Sequence, residues 1–171
     1  MSEFWDVTDS SGVPTGETHR RGDSDWPAGR FHVVVATCVQ RPDGTVLLTQ
    51  RAAAKEFGLD WEFPGGSALA GERSVDAAVR ELREETSLVV APDDLQLVGR
   101  FAEATALLDL YLVGAPAGVD VVPDPAEVVD HAWVSPVELQ RRLDDGLMAH
   151  PWTARLDALG MPLLLALAAA R

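Results

Sequence analysis

The sequence is short of cysteine and of basic side chains. Its 171 residues include one cysteine, Cys38, and 14 Lys and Arg residues against 27 Asp and Glu, which leaves a formal net charge of −13. A single cysteine excludes an internal disulfide. The acidic balance makes a nucleic-acid polymer an unfavourable partner, because its phosphates would be repelled. A small diphosphate is still accommodated where metal ions neutralise both it and nearby carboxylates.

A long apolar run and an export leader are also missing. The N-terminus has no basic region followed by an apolar stretch, which is the pattern of a secretory signal. The longest uncharged apolar run near the C-terminus, Met161 to Ala170, is too short to span a bilayer. The length and the 47% hydrophobic content fit one folded domain with a sizeable core. We therefore expect a soluble, cytoplasmic protein with no membrane partner.

The stretch from Pro64 to Leu88 joins a glycine loop to a helix. The paired glycines Gly65 and Gly66 allow the backbone to approach a ligand closely. From Ser74 on, apolar side chains recur at the spacing of one buried helix face, at Val75, Ala78, Val79 and Leu82. Ser74 is a suitable N-cap residue. The pattern predicts a helix that begins near Ser74 and ends near Thr86.

Three carboxylates gather on this predicted helix. Glu81, Glu84 and Glu85 fall within one sector beside the apolar face, at about 100° per residue. Like charges at this spacing repel each other, so the helix is either well solvated or bound to a hard cation. Oxygen ligands without Cys or His select Mg²⁺, Mn²⁺ or Ca²⁺ over zinc. The carboxylates alone leave both interpretations open.

The spacing of the fixed residues resembles a known motif. Gly66, Glu72, the run Arg80-Glu81-Leu82, the pair Glu84-Glu85, and Leu88 match the Nudix box, except that Ser87 stands where the family has Gly. The chain is therefore identified as similar to the Nudix hydrolases. The Gly of the family fits the left-handed residue that closes many helices, and we expect Ser87 to take the same conformation at a cost in strain. The resemblance implies an α/β/α sandwich, and the order of predicted strands and helices independently suits a mixed sheet packed between helices.

The resemblance also implies a metal site that takes Mg²⁺, with Mn²⁺ as a substitute. It makes Glu81, Glu84 and Glu85 the metal ligands, with the carbonyl of Gly65 as a fourth and Glu72 joining through water. Glu81 and Glu84 are thereby part of the catalytic machinery. Arg80, beside the carboxylates, is expected to orient one of them rather than touch the substrate, and Gly66 supports the site.

Three residues outside this set carry separate expectations. Glu127 stands where some family members place a further acidic ligand or the general base, and a solvated loop residue is an equal interpretation. Arg51, at the end of a predicted strand that faces the glycine loop, is a candidate phosphate contact. Leu69 replaces a Glu that many family members carry three residues before Glu72, so one carboxylate available to relatives is absent here.

The rest of the chain predicts the frame around this site. We expect a hairpin over 3–20 and a linker over 21–29, which together make residues 1–29 an N-terminal extension of a Nudix-type domain at 30–171. Strands are expected at Phe31–Gln40, Thr45–Arg51, Leu95–Ala104, Leu107–Val113 and Glu127–Val134, with loops at 52–60 and 115–126. Helices are expected from Pro136 to about Asp145 and from Pro151 to Ala169, the latter broken near Gly160 and Pro162.

Three functions stay open. The first is Mg²⁺-dependent hydrolysis of a small diphosphate-linked metabolite. The second is isomerisation, because the N-terminal extension looks like that of the Nudix subgroup similar to isopentenyl diphosphate isomerase; those enzymes use a Cys and a His-containing metal site, whereas Cys38 is expected to be buried. The third is a non-catalytic binding module, which typically loses the box glutamates kept here. The leaving group of the substrate and a homodimer are left open.

Overall fold

The β-branched run that begins at Phe31 forms the central strand of the fold. The structure, a computed structural model, describes residues 2–115, 118 and 120–170. Its strands are β1 (Phe4–Thr8), β2 (Pro14–Arg20), β3 (His32–Gln40), β4 (Val46–Arg51), β5 (Trp61–Glu62), β6 (Gly65–Ser67), β7 (Gln96–Ala102), β8 (Ala106–Gly114) and β9 (Val128–Val134). Its helices are α1 (Ser74–Thr86), α2 (Pro136–Asp144) and α3 (Pro151–Ala169), with a 3₁₀ turn at Pro92–Asp94.

Two parallel strands form the middle of the larger sheet. β3 runs parallel to β8, from His32 opposite Ala106 to Gln40 opposite Gly114. Both strands are mostly buried, because helices cover the two faces of a parallel pair. β7 adds to the outer side of β8 in the antiparallel direction. The sheet is therefore mixed, as predicted.

β3 and β4 separate beyond their shared turn. They pair where Gln40 lies opposite Val46, and β6 then takes the place beside β3. β4 pairs instead with β5 and β9. This exchange of neighbours holds Gly65 and Gly66 of β6 against the middle of β3, opposite Ala36 and Val35.

Helices cover both faces of the sheet and complete the predicted α/β/α sandwich. On one face, Ala77, Ala78 and Leu82 of α1 are buried in clusters with side chains of β3 and β8. On the other face, Trp152, Leu159 and Leu163 of α3 are buried in a cluster that includes Cys38 and Phe63. Cys38 is fully buried, and burial raises the pKa of its thiol, so the prediction of a structural cysteine is confirmed.

The predicted N-cap of α1 is wrong by one residue. Arg73 occupies the N-cap position without a side-chain cap hydrogen bond, and Ser74 is the first helical residue. Its hydroxyl donates to Asp109, a buried carboxylate of β8 that also receives two hydrogen bonds from Arg100 at 2.6 and 2.8 Å. A buried carboxylate needs hydrogen-bond donors, so the Ser74 hydroxyl donates to Asp109 instead of capping the helix.

The predicted break in the last helix is also wrong. α3 runs without interruption from Pro151 to Ala169, with Pro162 inside it. Pro162 removes one backbone donor from the helix, but Ala158, four residues before it, is exposed, so water can reach that turn. By length and composition alone α3 is long and apolar enough to cross a membrane, yet here it packs against β7 and β8.

The N-terminal residues form the predicted hairpin and dock onto the sheet. β1 and β2 pair antiparallel, and Thr8 exchanges backbone hydrogen bonds with Phe31 at 2.7 and 3.0 Å. The ring of Trp5 stacks on His32 with centroids 4.3 Å apart, and Trp26 packs edge-on against the same imidazole. Part of the predicted loop 115–126, at 116, 117 and 119, lies outside the described residues; Ala115, Gly118 and 120–126 contain no helix or strand.

Candidate active site

The two glycines of β6 lie in close contact with β3 and α1. A Cβ atom on Gly65 would come within 2.1 Å of the Val35 carbonyl oxygen, and one on Gly66 within 2.5 Å of the Glu81 carboxyl carbon. Gly65 therefore requires glycine, since the atoms that a Cβ would meet belong to the backbone of β3. At Gly66 a Cβ would displace the carboxylate of Glu81, which lies directly against the β6 backbone.

Arg80 organises the acidic face of α1. Its Nη1 donates to Glu81 Oε1 at 2.7 Å and to Glu84 Oε2 at 3.1 Å. Its Nε and Nη2 donate to the two oxygens of Glu72 at 2.9 and 2.8 Å, and Nη2 also donates to the Ser67 carbonyl. All three guanidinium nitrogens are thus occupied by protein oxygens. This geometry suits a residue that positions carboxylates rather than one that binds substrate.

Glu72 is held in a polar clamp. Besides Arg80, the backbone N–H of Leu69 donates to its carboxylate at 2.9 Å. Partial burial alone would raise the pKa of Glu72, but the hydrogen bonds from Arg80 and Leu69 outweigh it and lower the pKa. Glu72 therefore stays ionised, but its oxygens already serve as acceptors for the loop and for Arg80.

Glu85 is the most enclosed carboxylate on α1. Its residue is 6% exposed, and the Gly65 N–H donates to its Oε2 at 3.1 Å. Burial raises the pKa of Glu85 well above its usual range, and the negative charges of Glu62 and Glu81 raise it further. Burial likewise raises the pKa of Glu81, against the opposing effect of Arg80. The carboxylates of Glu81 and Glu85 therefore lie close together with too little neighbouring positive charge to balance both of them in the ionised form.

Glu62 is a site residue that the sequence reasoning missed. It lies on β5, which comes just before the glycine strand β6 along the chain, and its charge acts on Glu85. Burial raises the pKa of Glu62 even though the guanidinium of Arg51 forms an ion pair with it. One feature of the sequence could have indicated its role: Glu62 is an acidic residue between the aromatic residues Trp61 and Phe63, just before Pro64-Gly65.

Arg51 and Glu127 also lie near this acidic group. Arg51 pairs with Glu62 and donates from Nε to the Glu56 carbonyl at 2.6 Å, so its guanidinium faces protein oxygens. Glu127 forms an ion pair with Lys55, and its charge raises the pKa of Glu81. The structure thus brings Glu127 near the α1 carboxylates.

The donor set of the site suits a hard divalent cation. Within the described parts of the chain, no three His, Cys, Asp or Glu side chains already converge on a point that would hold a metal, because Glu81 and Glu84 turn towards Arg80. The enclosed Glu85 nevertheless has two acidic neighbours and no ion-pair partner among the described residues. Carboxylate and carbonyl oxygens without nitrogen or sulfur fit Mg²⁺ or Mn²⁺.

Comparison with known proteins places this site in a family. Residues 30–156 match the NUDIX domain. An uncharacterized Nudix hydrolase of Listeria monocytogenes is 29% identical over 147 residues, which cover 84% of this chain and 86% of that protein. An isopentenyl-diphosphate Delta-isomerase of Cereibacter sphaeroides is 32% identical over 143 residues, which cover 75% and 73% of the two chains.

A solved structure shows the same fold. The crystal structure of DR0079 from Deinococcus radiodurans superimposes with a TM-score of 0.72 at 22% identity, over 86% of this chain and 92% of that one. The domain match, the relatives and the box residues around Gly66 and Glu81 agree with one another. The chain belongs to the Nudix hydrolase family, whose members hydrolyse nucleoside diphosphate-linked compounds.

Proposed function

We propose that this protein hydrolyses a phosphoanhydride bond in a small diphosphate-linked metabolite and depends on Mg²⁺, with Mn²⁺ as a substitute. The observation that carries the proposal is the enclosed carboxylate of Glu85, which lies beside Glu62 and Glu81 and forms no ion pair with an Arg or Lys in the described part of the chain. Clustered carboxylates of this kind are stable when they share a divalent cation. The net charge of −13 favours a small substrate over a nucleic-acid polymer.

The residues of α1 would hold the metal and keep it in place. Glu81, Glu84 and Glu85 are the side-chain ligands, with the Gly65 carbonyl as a backbone ligand. Bound Mg²⁺ would neutralise charge on the phosphate oxygens and lower the pKa of the attacking water. Arg80 keeps Glu81 and Glu84 in place through its hydrogen bonds.

Glu127 is the candidate for the proton transfer. It accepts the proton of the attacking water while oxygen bonds to phosphorus and the bond to the leaving phosphate oxygen breaks. Its position near Glu81 supports this role, and its carboxylate forms an ion pair with Lys55. Arg51 would contact a phosphate by giving up part of its pairing with Glu62.

A phosphate-release screen tests the proposal. The protein is incubated with Mg²⁺ or Mn²⁺ and one of four substrate classes: nucleoside triphosphates, nucleotide sugars, dinucleotides or prenyl diphosphates. Where the substrate itself resists phosphatase, the products are treated with phosphatase, so that the phosphate groups exposed by hydrolysis are released and measured. We expect release from at least one class and its loss with EDTA. No release from any class with either metal would contradict the proposal.

Isomerisation of a prenyl diphosphate is the second candidate, supported by the similarity to the isomerase of Cereibacter sphaeroides. The buried position of Cys38 and the raised pKa of its thiol argue against a catalytic cysteine. His32 is packed between Trp5 and Trp26, which does not suit a metal ligand.

The substitution Cys38→Ala separates the two candidates. We expect diphosphate hydrolysis to change by no more than a few fold, because the thiol fills a core position and takes no part in the chemistry. The variant is measured beside the wild type after its fold is verified by circular dichroism. Loss of all turnover in a folded variant would favour the isomerase.

A further inference from the structure

The N-terminal hairpin touches the loop that carries the box residue Glu72. The Ala70 N–H donates to the Phe4 carbonyl at 2.8 Å. The Gly71 N–H donates to Asp6 Oδ2, also at 2.8 Å. Gly71 has a φ of 78°, a conformation that side chains rarely adopt. The hairpin therefore contacts the residue immediately before Glu72, at a backbone conformation that only glycine adopts readily.

From this loop, hydrogen bonds lead without a gap into the acidic site. Glu72 accepts from the Leu69 N–H and from two nitrogens of Arg80. Arg80 then donates to Glu81 and Glu84. A shift of the loop would move Glu72, and through Arg80 it would change the orientation of both carboxylates on α1.

Open space borders the loop on one side. A cavity of about 290 Å³ lies between the hairpin and the loop, and Asp6, Leu69, Gly71 and Glu72 are among its lining residues. A loop next to open space depends on its hydrogen bonds for its position. The bond from Gly71 to Asp6 is the side-chain contact that the hairpin supplies there.

The hairpin is itself fixed by contacts that do not involve Asp6. Trp5 stacks on His32, Thr8 pairs with Phe31 through the backbone, and Arg100 donates to the Ser11 carbonyl. Asp6 thus stands on an anchored element, so replacing its side chain should leave the hairpin docked.

We infer that Asp6 is a positioning residue of the active site, which acts through Gly71, Glu72 and Arg80 on the orientation of Glu81 and Glu84. The inference rests on the proposed function for its kinetic consequence, but not for its effect on metal binding. Residues that orient metal ligands typically change metal affinity or activity by about 10–100-fold when they are removed.

Three variants test the inference. Asp6→Ala removes the acceptor of the Gly71 N–H, whereas Asp6→Asn keeps a carbonyl oxygen at the same place and removes only the charge. Thr15→Val is the matched control, because Thr15 Oγ1 donates to the Val7 carbonyl at 2.9 Å within the hairpin, and its hydrogen bonds in the described structure are made to hairpin residues alone. Urea unfolding verifies that each variant is folded; if Asp6→Ala is not, Asp6→Ser, which is too short to reach Gly71, replaces it.

Two readouts are compared, kcat and KM for the best diphosphate and the dissociation constant of Mn²⁺ measured by electron paramagnetic resonance. We expect Asp6→Ala to lower kcat by about 10-fold with little change in KM, and to weaken Mn²⁺ binding several fold. Asp6→Asn and Thr15→Val should stay near the wild type in both.

Several results would overturn the inference. They are unchanged kcat and Mn²⁺ affinity in Asp6→Ala, a defect in Asp6→Asn as large as in Asp6→Ala, or the same defect in Thr15→Val. If the wild type hydrolysed no diphosphate, the proposed function would fail, and the Mn²⁺ measurements would still decide the role of Asp6.

Discussion

Ser87 ends α1 in the left-handed conformation, with φ of 61° and ψ of 7°. The family motif has Gly at this position, and the sequence predicted that Ser87 would keep the same backbone shape at a cost in strain. The structure confirms this backbone shape and adds a compensating contact, because Ser87 Oγ donates to the Val122 carbonyl at 2.9 Å. The side chain thus offsets part of the strain that it causes.

We predict that Ser87→Gly raises the free energy of unfolding by a few tenths of a kcal/mol. Glycine relieves about 1 kcal/mol of strain in the left-handed conformation. Loss of the exposed hydrogen bond from Ser87 to Val122 costs roughly half of that gain. Ser87→Ala is the matched control, because it keeps the strain and loses the hydrogen bond, so it should be less stable than the wild type. Urea unfolding gives the order; a Gly variant no more stable than the Ala variant would show that strain is not the controlling factor.

Residues whose roles depend on the local backbone were predictable, whereas those that depend on tertiary partners were not. Gly66 and Ser87 follow from the motif and from helix termination. Glu62 was missed because its importance comes from its approach to Glu85 across the β5 and α1 elements. The partners of Arg51 were missed for the same reason, since a sequence does not show which carboxylate a cation will meet.

At the scale of elements, α3 shows how packing overrides local preference. Gly160 and Pro162 are poor helix residues, and they predict a break. The helix continues because Leu159 and Leu163, on either side, are both buried in the core. The burial of two leucines contributes about 3–6 kcal/mol, which is comparable to or larger than the roughly 3 kcal/mol that proline costs.

We predict that Pro162→Ala stabilises the protein by about 1–3 kcal/mol, because it restores a backbone donor inside a continuous helix. Gly160→Ala should add about 0.5–1 kcal/mol, since a Cβ there would meet no neighbouring atom within 4 Å. Thermal unfolding checks both. No gain from Pro162→Ala would mean that the helix is broken in solution.

The elements themselves were largely predictable and their ends less so. The α1 helix, the β3–β4 turn and the hairpin carry strong local patterns, so their positions were found from sequence. The prediction of an N-cap at Ser74 was wrong because the Ser74 hydroxyl donates to Asp109. The pairing of β6 with β3 also needs the fold, because a three-residue strand of Gly65, Gly66 and Ser67 has no apolar alternation to reveal it.

At the scale of the whole molecule, the interface between the N-terminal hairpin and the sheet contains a titratable side chain. His32 lies under Trp5 and Trp26, and its Nδ1 donates to the Thr105 carbonyl at 3.0 Å. Burial lowers the pKa of His32, with smaller opposing contributions from the Thr105 hydrogen bond and Glu103, while Arg21 and His19 lower it further. The folded state therefore prefers the neutral imidazole.

We predict that the docked hairpin loses stability as the pH falls below about 6.5, the ordinary pKa of histidine in an unfolded chain, and through the lowered pKa of His32 in the folded state. The contribution is fully present above 6.5, because the unfolded state then binds no extra proton. Tryptophan fluorescence during urea unfolding at pH 7.5 and 5 measures the difference. His32→Phe keeps an aromatic ring in the stack and should flatten the pH dependence; an unaltered dependence in that variant would contradict the assignment.

The central claim is that the carboxylates of α1 hold a divalent cation for hydrolysis, and turnover of Glu84→Gln at saturating Mg²⁺ tests it most directly. The side chain of Glu84 is 50% exposed, so the fold should tolerate the change. Glu138→Gln, which removes the same charge from a different helix, α2, is the control. On the diphosphate that the wild type hydrolyses fastest, we predict that Glu84→Gln lowers kcat by at least ~10²-fold and that Glu138→Gln leaves it nearly unchanged. Near-normal turnover in folded Glu84→Gln would contradict the claim.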